Sequence, residues 1–164
     1  MALKKVELSY MEYRDLDELD SEMKHLVQQA KEASKTAYAP YSLFKVGASV
    51  LLSNGDIVKG SNQENIAYPS GLCAERVVIN SASSLFPNEK IVAIAVSSDH
   101  HFENDEDMFS PCGACRQVMA EAELRTGKKL KIIVNTPGGI TRAFNGISQL
   151  LPFTFNYSGL KKAK

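Results

Sequence analysis

The chain has no tryptophan, three cysteines, three histidines and no surplus of either charge: 19 lysines and arginines balance 19 aspartates and glutamates in 164 residues. Each shortage excludes something. Charge balance removes the global field that draws a protein to a nucleic acid polymer or an anionic membrane, which favours a small-molecule partner. No apolar run is long enough to span a bilayer. The opening Met-Ala-Leu-Lys-Lys-Val-Glu-Leu soon reaches acidic residues without a long apolar stretch, which reads against a secretory signal. A cytoplasmic setting is expected, where thiols stay reduced. Three cysteines suit a disulfide framework poorly, but they suit a metal held by three ligands with one position open.

What is present is an ordinary soluble balance, 44% hydrophobic and 23% charged, at a length that suits one domain over residues 1–164. Residues 1–20 are polar, carry tyrosines, show no strong period and read as an N-terminal extension. From Ser21, the residues Met23, Leu26, Val27, Ala30 and Ala33 recur at helical spacing, and Pro40 ends or follows that helix. Residues 45–53 read as a strand, Asn54-Gly55 as a tight hairpin turn and 56–61 as the return strand. A loop over 62–72 leads to a second helix over 73–85. Residues 91–97 form a near-continuous apolar strand of the kind buried on both faces. An acidic loop over 100–109 precedes a third helix over 112–125, with Gly127 as its stop. Strands at 130–135 and 140–144 are joined by Pro137-Gly138-Gly139, and a short helix over 147–151 ends at Pro152. This order predicts an α/β layered domain with a mixed sheet, the two helices that begin at cysteines lying on one side of it.

The cysteines fall in two short motifs at predicted helix starts, Cys73-Ala74-Glu75-Arg76 and Pro111-Cys112-Gly113-Ala114-Cys115. Helix N-termini carry partial positive charge and free amides, which stabilise thiolates. Cys73, Cys112 and Cys115 therefore read as ligands of one zinc ion per chain, with the open fourth position of a catalytic site. His25, in the first helix, and His100 and His101, in the polar loop, are read as lying away from the metal. Glu75, two residues after a ligand, can reach a metal-activated water without binding the metal, as a proton carrier must. Arg76 can withdraw charge from a three-thiolate site, which is otherwise too negative to acidify water well. Arg116 is open between a similar role and an ordinary surface position. A lone Cys-x-x-Cys would fit a redox motif equally well, but Cys-x-Glu followed by Pro-Cys-x-x-Cys is the pattern of zinc-dependent deaminases in three-cysteine form.

Several further motifs stand in order around these: Ala39-Pro40-Tyr41-Ser42-x-Phe44-x-Val46-Gly47-Ala48, Gly60-x-Asn62-x-Glu64-Asn65, Ser110 ahead of Pro111, Arg116-Gln117, and Leu150-Leu151-Pro152-x-x-Phe155. Over residues 37–155 the chain resembles the small, homotetrameric cytidine deaminases of pyrimidine salvage. The resemblance implies a three-layer fold, a mixed five-stranded sheet with helices on both faces. It implies hydrolytic deamination of cytidine and deoxycytidine to uridine and deoxyuridine by a zinc-activated hydroxide, with Glu75 as proton shuttle. It also implies that Asn62 and Glu64 bind the ribose 3′-hydroxyl, Phe44 packs on the base, the Ala74 N–H binds the base carbonyl and the Ser110 carbonyl receives the leaving ammonia. Tyr68 and Phe155 would reach a neighbouring subunit's pocket. The chain departs from the family in its residues 1–20, its acidic stretch 103–107, and Asn156-Tyr157-Ser158-Gly159-Leu160, where an acidic pair is common.

Two rival readings make different demands. A deaminase of another aminated pyrimidine, such as a blasticidin-type antibiotic, has no use for Asn62-x-Glu64. A non-catalytic zinc-stabilised module needs a fourth protein ligand and no Glu75.

Overall fold

Val46–Leu52 (β2), an interior strand of the sheet, is buried along its whole length and divides its residues between two faces. Val46, Ala48, Val50 and Leu52 join the hydrophobic cluster on one face, whereas Gly47, Ser49 and Leu51 alternate with them toward the other. The computed structural model describes residues 1–100, 109–136, 138 and 140–155. The acidic stretch 103–107, His101, two residues of the Pro137-Gly138-Gly139 turn and the tail from Asn156 onward lie outside the described residues.

Antiparallel Ile57–Ser61 (β3) returns beside β2 after the Asn54-Gly55 turn, where Gly55 takes the positive φ of 90° that glycine tolerates. Ile91–Ser98 (β4) lies antiparallel on the other side of β2. Lys131–Asn135 (β5) runs parallel to β4, and Thr141–Asn145 (β6) antiparallel to β5. Met11–Tyr13 (β1) closes the edge, giving the order β1-β6-β5-β4-β2-β3.

The sheet therefore has six strands, not the five that the resemblance implied. The sixth comes from the N-terminal residues, and it is too short for alternation to register in a sequence. It exists through its partners. Met11, Glu12 and Tyr13 pair with Ala143, Arg142 and Thr141, the Glu12 carboxylate accepts from Arg142 Nε at 2.9 Å, and the Tyr10 ring rests 5.5 Å from that of Phe144. The short helix expected over 147–151 is a single 3-10 turn, Ile147–Gln149.

Residue size sets where each helix lies. Ser21–Ser34 (α1) starts after Asp20, whose carboxylate accepts from the Met23 N–H at 2.8 Å. It packs Met23, Leu26, Val27 and Ala30 on a face where the sheet offers small residues, Ala93, Ala95 and Ala143, with Leu51 and Ile133. Ala74–Leu85 (α2) and Gly113–Thr126 (α3) cover the opposite, bulkier face of Val50, Leu52, Ile94, Val96, Ile132 and Val134. Helices thus lie on both faces of a mixed sheet, with the two cysteine helices together on one side, as the sequence predicts. Register then gathers one end of the sheet. Because Gly47 pairs with Ser61 and Val46 with Ser98, Phe44 before β2, Asn62 after β3 and the segment after β4 emerge side by side.

Gly47 is the tightest point of this packing. A Cβ there would stand 2.0 Å from the Ala30 carbonyl oxygen and 2.3 Å from the Ser34 nitrogen. Gly47→Ala is expected to cost about 2–3 kcal/mol of stability, the upper part of the overpacking range, read by urea denaturation. A loss below about 0.5 kcal/mol would mean that α1 does not seat on β2 in this way.

Candidate active site

Cys73 and Cys112 are the residues immediately ahead of α2 and α3, both in extended conformation, so each helix begins at a sulfur. Cys115 follows one turn into α3. The three sulfurs lie within 4.8 Å of one another, with Cys73 to Cys112 at 3.9 Å and Cys112 to Cys115 at 3.4 Å. A tetrahedral zinc site with sulfur at about 2.3 Å places its sulfurs about 3.8 Å apart, so the donor set fits that ion. No histidine or carboxylate joins them among the described residues, which leaves a fourth position open. Cys115 is buried, Cys73 half-buried and Cys112 exposed, so the trio faces outward on one side. The Cys73 thiol is pulled down to about 5, chiefly by the hydrogen bond from Cys115, with the Arg76 charge adding to it. Cys115 is pushed up because that bond holds its proton.

Glu75 sits in the first turn of α2 at 5% exposure. Burial pushes its carboxyl above the usual carboxylate range, and the charge of Cys73 acts in the same direction. It lies against the sulfurs without belonging to the donor set. Arg76 donates from Nη2 to the Gly71 carbonyl at 2.7 Å, while its buried Nε has no hydrogen-bond partner. That orphaned donor lies on a side chain whose charge reaches Cys73, where thiolates bound to a cation would offer it an acceptor.

Arg116 is no surface residue. Its Nε donates to the Pro111 carbonyl at 2.7 Å, Nη1 to the Leu150 carbonyl at 2.8 Å and Nη2 to Ser110 Oγ at 3.0 Å. It braces the two residues that lead into Cys112 and ties them to the C-terminal segment. Nothing in the local sequence pattern reveals this, because its acceptors are two backbone carbonyls and a hydroxyl. Gln117 extends the tie: its amide donates to the Phe155 carbonyl at 3.1 Å and accepts the Phe155 N–H at 3.3 Å.

A second group of residues forms a wall nearby. Asn62 accepts from the Val46 N–H at 2.8 Å and donates to the Phe44 carbonyl at 2.9 Å. Glu64 accepts from the N–H groups of Tyr41 at 2.9 Å and Ser42 at 3.3 Å, and from the Ser42 hydroxyl. That hydroxyl, more than any other contact, holds the Glu64 carboxyl below its usual range. The Phe44 ring lies 5.0 Å from His100 and 6.1 Å from Phe109. His100 thus serves an aromatic cluster, and His25 lies in α1.

Tyr41, Ser42, Glu64, Asn65, Tyr68 and Gly71 line a cavity of about 410 Å³. Gly71, bonded to Arg76, connects this cavity to the cysteine trio. Ala74 is fully buried as the first residue of α2, where helix geometry leaves its N–H without an intrahelical acceptor. Ser110 is half-buried. Tyr68 and Phe155, each 76% exposed, stand out from the surface.

Comparison with known proteins agrees with this geometry. Residues 20–128 match the family model described as the cytidine and deoxycytidylate deaminase zinc-binding region. The chain is 39% identical over 130 residues to a cytidine deaminase of Halalkalibacterium halodurans, covering 79% of this chain and 91% of that one. It is 37% identical over 142 residues to a cytidine deaminase of Sporosarcina psychrophila, covering 87% and 97%. Among solved structures, a cytidine deaminase from Burkholderia pseudomallei superposes with a TM-score of 0.68 at 37% identity, over 80% of this chain and 97% of that one. One from Mycobacterium tuberculosis superposes with a TM-score of 0.65 at 33% identity, over 84% and 100%. With its sulfur trio, its layered fold and a family match over most of its length, the chain belongs to the zinc-dependent cytidine deaminase family.

Proposed function

We propose that this protein hydrolyses free cytidine and deoxycytidine to uridine or deoxyuridine and ammonia, with one zinc ion per chain on Cys73, Cys112 and Cys115. The observation that carries the reading is a buried carboxylate, Glu75, set against three converging sulfurs with an open fourth position. A bound zinc ion supplies Lewis acidity that brings the pKa of water toward neutrality, which provides the nucleophile.

The chain's own residues do the rest. Burial raises the Glu75 carboxyl above its ordinary range, which makes it a better proton acceptor than an exposed carboxylate and favours its neutral, proton-donating form once it has taken up a proton. Glu75 takes the proton of the attacking water, delivers one to ring N3 and carries a second to the amino group, which departs as ammonia. The Ala74 N–H, at a helix N-terminus, donates to the base carbonyl, and the Ser110 carbonyl accepts from the departing amine. Phe44 offers a flat apolar face to the pyrimidine. Asn62 and Glu64 keep further donor and acceptor capacity beyond their bonds to the backbone, and this serves the sugar 3′-hydroxyl. Arg76 tempers the charge of the trio. The exposed rings of Tyr68 and Phe155 gain cover through self-association into a homotetramer, each reaching a neighbour's pocket.

The matched family model spans nucleoside and nucleotide deaminases, and charge decides between them here. The cavity beside Glu64 contains no lysine or arginine among the described residues, and it carries a carboxylate held in its ionised form. A phosphate there would meet repulsion and no cation.

Three outcomes follow. Metal analysis of the purified protein should give one zinc per chain, and Cys112→Ser should lose most of it against a chelator; full retention would remove Cys112 from the ligand set. Glu75→Gln should keep its zinc while cytidine turnover falls by about 100- to 10,000-fold, the usual worth of a positioned acid–base group. Near-normal turnover would end the proton-shuttle assignment. Cytidine should exceed cytidine 5′-monophosphate in kcat/KM by at least about 100-fold, the scale of a like-charge penalty of several kcal/mol; parity would identify a nucleotide enzyme.

A further inference from the structure

Leu43 is the only non-glycine residue at positive φ among the described residues, at 59°, and its side chain is largely exposed. A leucine adopts that conformation only when its surroundings impose it. The imposing contacts lie on either side of it. Before it, the Leu43 N–H closes a turn onto the Ala39 carbonyl at 3.1 Å. Next to it, the Ser42 hydroxyl donates to Glu64 and accepts the Phe44 N–H at 3.0 Å. Beyond it, Asn62 holds the Phe44 carbonyl. The backbone of Phe44 is therefore gripped at both its polar groups, through one hydroxyl that also grips Glu64.

We propose that Ser42 is a positioning residue that links sugar recognition to base recognition. The inference rests on the reading of Glu64 and Phe44 as contacts to a cytosine nucleoside. Ser42 touches neither part of the substrate. It sets the Glu64 carboxylate and the Phe44 backbone in one fixed relation, and Leu43 takes up the backbone strain of that arrangement. Loss of the hydroxyl removes one of the three bonds that hold Glu64 and, with it, the bond from the Phe44 N–H to Ser42. Zinc and Glu75 are untouched, because Ser42 precedes β2 and the trio lies at the starts of α2 and α3. The penalty should therefore appear in substrate binding and not in the chemical step.

The test is steady-state kinetics with cytidine on the zinc-loaded enzyme, its Ser42→Ala and Ser42→Thr variants, Glu64→Ala, and the Ser42→Ala/Glu64→Ala pair. Ser42→Ala should raise KM about 10-fold, the worth of a hydrogen bond to a charged group, with kcat within about 3-fold of the parent. Ser42→Thr, which keeps the hydroxyl, should recover most of the KM. The two alanine penalties should not multiply in the pair, since each breaks the same link. Amide hydrogen exchange gives a reading independent of turnover: Ser42→Ala should speed exchange at Phe44 and leave Val46, held by Asn62, protected. An unchanged KM, a fall confined to kcat, or fully multiplying penalties would overturn the proposal while leaving the deaminase reading intact. A zinc-loaded parent that leaves cytidine unaltered would overturn both.

Discussion

Two helices that begin at the same end of one sheet face bring three sulfurs together, and the rest of the site depends on that convergence. Each helix starts with a cysteine at its cap position, so free amides and the positive ends of two dipoles meet where negative charge must gather. Three thiols at such spacing are not a packing choice. Without a shared cation they repel as thiolates, which is why one sulfur is drawn toward ionisation while another keeps its proton. Buried Glu75 and half-buried Arg76 stand in the same neighbourhood, a carboxyl that burial pushes toward its neutral form and a guanidinium that favours the charge of Cys73.

The sheet makes this convergence rigid. On the α1 face its residues are small, so that helix sits with its backbone directly on Gly47. On the other face, larger Val, Ile and Leu side chains lift α2 and α3 and hold their first turns at the sheet end where Phe44 and Asn62 emerge. Arg116 then fixes the approach to Cys112 from behind by bonding Ser110, Pro111 and Leu150 at once. The result is a site built on element ends and braced by element interiors, the arrangement that precise geometry requires.

The sequence made the long elements legible because each carries its own period: α1 through Met23, Leu26, Val27 and Ala30, and β4 through its apolar run. Cysteine spacing disclosed the metal site for a different reason, since chemistry and not packing restricts those residues. β1 was hidden because three residues hold no period, and their strand state comes entirely from β6. Arg116 could not be assigned because its acceptors lie up to 34 positions away in the chain. Asn62 and Glu64 hold the backbone of residues 41–46, a use that only the folded register discloses.

The central claim joins a thiolate zinc site to a nucleoside reaction, and one measurement addresses both halves. Zinc-loaded protein is incubated with cytidine, and uridine and ammonia are quantified in the same sample, beside protein stripped of metal and then reloaded. The account predicts uridine and ammonia in equal amounts, lost on stripping and restored by zinc. Folded, zinc-loaded protein that leaves cytidine unchanged, or turnover indifferent to the metal, would contradict it.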